Sequence, residues 1–396
     1  MIPRVIDNAA AQSPSSGAGP RPFRDSEYSR VFGFDAPPLG VLHVVGLLTE
    51  AVFHMLGPAC AALRAEGRPQ AVLLIGDETG RRLVQSLDPA IAIHLVDDTR
   101  NPLGRWYRLG RRLQALVREG RWEAVHLHGL MPLMIGLPVA RRIESAGGRL
   151  FVTPHHSRSL TWLGRPALRL AGRFVPLRRI QTIANVPFDM RAMARIARMP
   201  MRLIESPVDA VFFSVTAQVE PKTAVIVGAA PGDATDAVQR FAQLAVLLAE
   251  ALPRARFRWL SAVSDDERLV LDASGIERVD DPADPYARAH ALAQASLFVA
   301  PEAGRGFPMA LAEAMAVGLP CIGHDGEVHR DMLTPGETGL LAASVAELAQ
   351  RTLELLRDPP ARRLLATQAR REAMLRFSDV EFRRHLVAAF VHPRSP

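Results

Sequence analysis

Lysine is nearly missing from this chain of 396 residues: Lys222 stands alone among 48 basic side chains, so the positive charge is carried by arginine. Cysteine is almost as scarce. Cys60 and Cys321 lie far apart, each in an apolar context, and cannot supply a disulfide framework. They read as two small buried hydrophobes, and the expected compartment is the cytoplasm. No uninterrupted apolar run reaches the ~18 residues of a membrane-spanning helix. The opening MIPRVIDNAAAQSPSSGAGPRP lacks the charged-then-apolar order of a signal peptide and reads, through residue 38, as a flexible tail. Aromatics make up only 6% of the chain, and there is no zinc-finger spacing and no stacking-aromatic motif, which argues against a nucleic-acid partner. Neither a phosphate-binding Walker loop nor a Gly-x-Gly-x-x-Gly turn follows any strand-like run, so kinase and dehydrogenase chemistry have no support. No Cys/His cluster suggests a metal site. The pairs Asp265-Asp266 and Asp280-Asp281 read as solvated loop charges.

What is present is an apolar fraction of 48% in a chain long enough for two domains. The net charge of +7 is unevenly spread. Residues 101–180 hold 15 Arg against 3 Glu and no Asp, a balance of +12, which leaves −5 for the rest. Within 105–122, Trp106, Leu109, Leu113 and Leu116 recur at helical spacing among arginines, and 160–180 repeats the mixture. Such basic amphipathic segments suit either a solvated surface or an anionic membrane.

Strand-like and helix-like runs alternate twice over. Apolar runs at 40–48, 71–76, 92–96, 124–129 and 149–154 form a first series, with a helix over 51–67 after the first of them. A second series has strands at 223–228, 257–260, 296–301 and 320–323, and helices at 235–252 and 308–318. This is the pattern of parallel sheets built from βαβ units. The weakly patterned SVTAQVEPK (214–222) marks the boundary, giving domains of 39–215 and 216–376. His126 and His128 are read as alternating on one strand, one turned to the core and the other to the opposite face.

The segment PEAGRGFPMALAEAMAVGLPCIG (301–323), followed by PGETGLL (335–341), resembles the donor-site signature of the retaining family-4 glycosyltransferases that build bacterial surface glycans. Gly306, Phe307 and Pro308 match the family's loop; Glu313, Ala314, Met315, Ala316, Gly318 and Pro320 match its helix and exit. Weaker similarity runs from about residue 40 to the C-terminus: GVLHVVGLL, VHLHG (125–129), FVTPHH (151–156), LIESPVDAVFF (203–213) and a terminal FSDVEFRRHLVAAF (377–390).

The resemblance implies an α/β protein of the GT-B class: two doubly wound Rossmann-like domains facing a central cleft, with residues 377–396 crossing back onto the first domain. It implies sugar transfer from a nucleotide-sugar to an acceptor hydroxyl on a glycan or lipid-linked molecule, with retention and without metal or cofactor. A helix starting near Pro308 would aim backbone N–H groups at a diphosphate, with Arg305, Gly306, Phe307, Pro308, Met309 and Glu313 as donor-binding residues and Glu313 holding ribose hydroxyls. His128 and His155 would be the catalytic residues. Three positions depart from the family. Arg305 stands where the first of two glutamates belongs; VGAAPGDATD (227–236) lacks the family's cations; and Leu47-Leu48-Thr49-Glu50 replaces a Gly-Gly loop. Three functions follow: an active transferase, peripheral at the inner face of the cell membrane through 101–180; a catalytically silent scaffold of a glycan assembly complex; or another GT-B enzyme such as a nucleotide-sugar epimerase.

Overall fold

The computed structural model describes residues 5–7, 40–99, 101–155, 179–195, 199–218, 223–230, 236–279, 284–302 and 306–390. The chain divides into two compact units, one of Met1–Asn185, Asp189–Ile204 and His385–Pro396, the other of Val186–Phe188 and Glu205–Arg384.

The first unit is a parallel sheet of β1 (Val5–Asp7), β2 (Gly40–Leu47), β3 (Gln70–Ile75), β4 (Ala92–Val96), β5 (Trp122–His128), β6 (Arg149–Thr153), β7 (Gln181–Ala184) and β8 (Met201–Leu203), in the order β1-β4-β3-β2-β5-β6-β7-β8. Strand β1 falls inside the segment read as a tail and pairs with β4. Residues 40–46 of β2 and all of β3 are buried, as expected of central parallel strands covered on both faces. Leu42, Val44, Leu73, Val125 and Leu127 pack on one face with Leu109, Leu113, Leu133 and Leu137 of helices Pro102–Glu119 and Leu130–Ser145. Val45, Val72, Leu74, Ile93 and Leu95 pack on the other with Leu56 and Cys60 of helix Glu50–Ala65. Caps fix where these helices begin: the Thr49 hydroxyl accepts from the Val52 amide, and the Asn101 side chain from those of Leu103 and Gly104.

The second unit has β9 (Val225–Gly228), β10 (Arg256–Trp259), β11 (Glu277–Arg278), β12 (Leu297–Ala300), β13 (Cys321–His324) and β14 (Leu340–Ala342), in the parallel order β11-β10-β9-β12-β13-β14. Helix Asp379–Phe390 ends the described chain, and its residues from His385 belong to the first unit. There Phe390 stacks on Phe151 with ring centroids 4.2 Å apart, and Arg149 donates to the carbonyls of Ala389 and Phe390.

Each sheet is doubly wound: leaving aside the edge strand β1, the strand order reverses between β2 and β5 in the first unit, and it reverses between β9 and β12 in the second. At such a reversal the flanking helices diverge to opposite faces and leave a crevice at the carboxyl ends of the strands, where ligands of open α/β sheets bind. The two reversals therefore mark where each unit's chemistry should be sought.

Candidate functional site

In the second unit the reversal is framed by Gly228 and by the segment after β12. Gly228 has no room for a side chain: a Cβ there would sit 2.5 Å from the Phe241 ring. After Ala300 come Pro301 and the buried Glu302, then, beyond the described residues, the stretch holding Arg305. Gly306 and Phe307 are half-buried and Pro308 is buried; Phe307 meets Phe377 edge to face at 5.5 Å. Helix Met309–Val317 begins immediately after Pro308, at the position read from the sequence. Gly318 closes it in the left-handed conformation, φ 83°, which favours glycine.

Glu313 sits in this helix and is only 5% exposed. Its carboxylate accepts from Arg288 of helix Pro285–Ala293 in a tight ion pair. Burial raises its pKa, and the Arg288 guanidinium opposes that shift. A residue that only faces a cleft could be replaced with little effect on folding; here the carboxylate is also one half of a buried ion pair, so its loss bears on stability as well. Sequence reading missed Arg288, which lies on another helix and carries no motif. It also missed Glu302 and His329. The His329 ring is wholly buried, donates from Nδ1 to the His324 carbonyl at 2.8 Å, and places Nε2 3.6 Å from the Glu302 carboxylate. Gly323 makes room for that ring.

In the first unit the reversal is occupied by histidines. In-register pairing sets His43 beside His126, His126 beside Phe151, and His128 beside Thr153. The reading that His126 and His128 face opposite ways is corrected: residues two apart on a strand share a face, and the two rings lie 4.0 Å apart, both buried. His128 ends β5. Its Nδ1 is 3.2 Å from Nε2 of His155, two residues past β6, so the two histidines read as catalytic are brought together. His155 has φ 34°, a backbone strain that non-glycine residues rarely adopt. His156 lies outside the described residues. His126 pairs through Nε2 with the Thr153 hydroxyl at 2.8 Å. Burial, the main cause in each case, pushes the pKa of His43 down to about 4 and those of His126 and His128 well below the usual imidazole range. All three rings are neutral at pH 7. His43, His126 and His128 each offer one ring nitrogen, and these nitrogens lie within 4.8 Å of one another, which makes them the group among the described residues that could hold a metal ion. Sequence reading found no such cluster because its members come from two strands 83 residues apart between His43 and His126.

Cys60 and Cys321 are free and buried, and burial pushes both thiols up, Cys60 to about 12. They are inert packing, as read.

Residues 221–358 match the family model described as glycosyl transferases group 1. No curated protein matches the sequence. Among solved structures, HepE of Anabaena in complex with UDP is 16% identical, with a TM-score of 0.70 over 89% of this chain and 99% of its own. Sucrose-phosphate synthase of Thermosynechococcus elongatus is 13% identical, with a TM-score of 0.71 over 89% and 98%. WaaG, a glycosyltransferase involved in lipopolysaccharide biosynthesis, is 12% identical, with a TM-score of 0.62 over 89% and 100%. The fold is that of the GT-B class, two Rossmann-like α/β domains.

Proposed function

We propose that the chain is a retaining glycosyltransferase that moves a sugar from a nucleotide-sugar to a hydroxyl of a glycan or lipid-linked acceptor. The observation that carries this reading is the family match over residues 221–358, joined to the loop and helix Gly306–Val317 at the strand reversal of the second unit. The bond from the anomeric carbon to the diphosphate breaks, a bond to the acceptor oxygen forms on the same face, and the acceptor proton leaves with the diphosphate or a nearby base. Positioned dipoles and cations stabilise the departing charge, so the reading needs no metal. Gly306, Phe307, Pro308, Met309 and Glu313 hold the donor, Arg305 supplies charge near the phosphates, and His128 and His155 act on the sugar and acceptor side. Structures of HepE hold UDP and UDP-glucose, which makes UDP the first ligand to try here.

Acceptor access is proposed through the arginine-rich 101–180, docked on the anionic inner face of the cell membrane. No helix among the described residues is long and apolar enough to cross a membrane.

A catalytically silent scaffold is the second reading. It is favoured by Arg305 in place of a carboxylate and by the missing cations of 227–236. Calorimetry with nucleoside diphosphates separates the two. The transferase binds one of them saturably and releases it from a nucleotide-sugar when acceptor is supplied. A protein that binds none is the scaffold.

A further inference from the structure

The histidines of the first unit form a row whose proton positions can be derived one after another. Gln70, 6% exposed at the start of β3, donates from Nε2 to the Cys60 carbonyl at 2.9 Å. A carbonyl only accepts, so the orientation of the Gln70 amide is fixed and its Oε1 is the atom that meets His43 Nε2, at 3.3 Å. That oxygen also only accepts, so the proton of His43 is on Nε2. The ring is neutral, which leaves Nδ1 bare. His43 Nδ1 lies 3.2 Å from His128 Nε2, and a bare nitrogen accepts, so His128 carries its proton on Nε2. His128 is neutral as well; its bare Nδ1 therefore accepts from His155 Nε2 at 3.2 Å. The direction of every bond in the row follows from one backbone carbonyl of helix Glu50–Ala65.

We propose that Gln70 is a positioning residue: acting through His43, it keeps the proton of His128 on Nε2 and so presents a bare Nδ1 that holds the ring of His155. The inference deepens the proposed function, since it rests on reading His128 and His155 as site residues. His155 is the partly exposed member of the row, and its backbone is in the left-handed region at φ 34°. A histidine whose tautomer is set by the bond at its other nitrogen offers one defined nitrogen to a reacting group.

A metal ion bound by His43, His126 and His128 is the competing arrangement. His126 lends it some support, because Nδ1 of that buried ring has no hydrogen-bond partner. An ion on His43 Nδ1 and His128 Nε2 would force the His128 proton to Nδ1 and reverse the row at that point. The protonated nitrogen of His128 therefore discriminates between the two.

The test is long-range proton–nitrogen NMR on the untagged full chain labelled at histidine, with metal analysis of the same sample. His43 and His128 should both show a proton on Nε2. Gln70→Met keeps side-chain length and removes the acceptor; both rings should then become mixtures of tautomers. With an active donor and acceptor pair, kcat of Gln70→Met should fall about tenfold while the donor KM stays within about twofold. A proton on His128 Nδ1 in the wild type, one equivalent of bound zinc, or unchanged tautomers in Gln70→Met would overturn the proposal. Should Gln70→Met fail to fold, the wild-type spectrum alone decides by the same criterion. Absence of transferase activity with correct tautomers counts against the functional reading and leaves the row established.

Discussion

At the scale of single residues, Glu313 is paired with Arg288, and the proposed function gives it a second job on the donor; two measurements on one substitution tell these apart. As a donor ligand, Glu313→Gln should weaken nucleoside diphosphate binding by about 1–3 kcal/mol, the range of a charge-assisted hydrogen bond. As the partner of Arg288 it should also destabilise the second unit, because removing one member of a buried pair strands the other and costs roughly 3–5 kcal/mol. Calorimetry reads the first effect and urea unfolding the second; an unfolding midpoint equal to that of the parent would show that the pair contributes nothing. Arg305 asks a related question. A guanidinium cannot accept from a sugar hydroxyl, but it can bind phosphate with its planar fork. Arg305→Ala should cost affinity for a diphosphate more than for the bare nucleoside. Arg305→Glu restores the family's residue, yet should bind still worse, since it adds an anion without returning the cations missing from 227–236. Equal binding by both variants and the parent would sink that idea. The helix after Pro308 and its Gly318 end were legible because that stretch is contiguous in sequence. Arg288, Gln70 and His43 were not, because each meets its partner only through strand register or helix packing.

At the scale of elements, the long buried strands and amphipathic helices could be read from periodicity, while β7, β8 and β14 could not. Each of these has only three or four residues and, unlike the equally short strands of the second sheet's centre, does not stand out as an apolar run: β7 (QTIA) and β8 (MRL) carry polar or charged side chains, and β14 begins at the end of PGETGLL, after Gly and Thr. The end of helix Met309–Val317 shows how local chemistry and motif coincide. Gly318 at φ 83° would meet nothing closer than 3.4 Å if given a Cβ, so the cost of Gly318→Ala is conformational and not steric. It should be roughly 1–2 kcal/mol, a fall of about 2–8 °C in the melting of that unit, read by calorimetric scanning. The first sheet carries a different dependence, set by protons. His43 and His94 have pKa values pushed down from 6.5 to about 4 by burial, with Arg112 adding to the shift at His94, and burial lowers those of His126 and His128 well below 6.5 as well. Below pH 6.5 the unfolded imidazoles bind protons that the native ones refuse, so stability is fully present above that value and is lost on acidification toward pH 4. Each such histidine contributes up to about 1.4 kcal/mol per pH unit. Urea midpoints should fall steeply between pH 6.5 and 4.5, and His94→Gln should flatten the slope. A flat profile would mean the rings are solvated.

At the scale of the whole molecule, the charge is the feature that composition shows and motifs do not: +12 in residues 101–180 against −5 elsewhere. The fold changes what that charge can do. Leu109, Leu113 and Leu116, the apolar stripe of helix Pro102–Glu119, are buried in the core and cannot enter a bilayer. Trp106 packs against them and against Gly46, where a Cβ would fall 2.4 Å from the indole ring. Arg105 is paired with Asp98, and Arg112 lies 4.0 Å from Glu119. The exposed side chains described in this helix are Leu103, Tyr107, Arg108, Arg111, Arg118 and Glu119, three cations against one anion, so attachment through it would be largely electrostatic, with two apolar groups at its N-terminal end. Each exposed arginine near an anionic surface is worth about 1 kcal/mol, and the attraction decays over a Debye length of roughly 8–10 Å at physiological salt. Vesicles rich in anionic lipid should therefore bind the chain at low salt and release it as salt rises, whereas vesicles of neutral lipid should bind weakly at any salt. Replacing Arg108, Arg111 and Arg118 together by Gln removes about 3 kcal/mol of that attraction and should abolish binding without changing nucleotide affinity in the other unit. Salt-independent binding to neutral vesicles, or anionic binding untouched by the triple substitution, would move the acceptor reading from a membrane-held lipid to a soluble glycan.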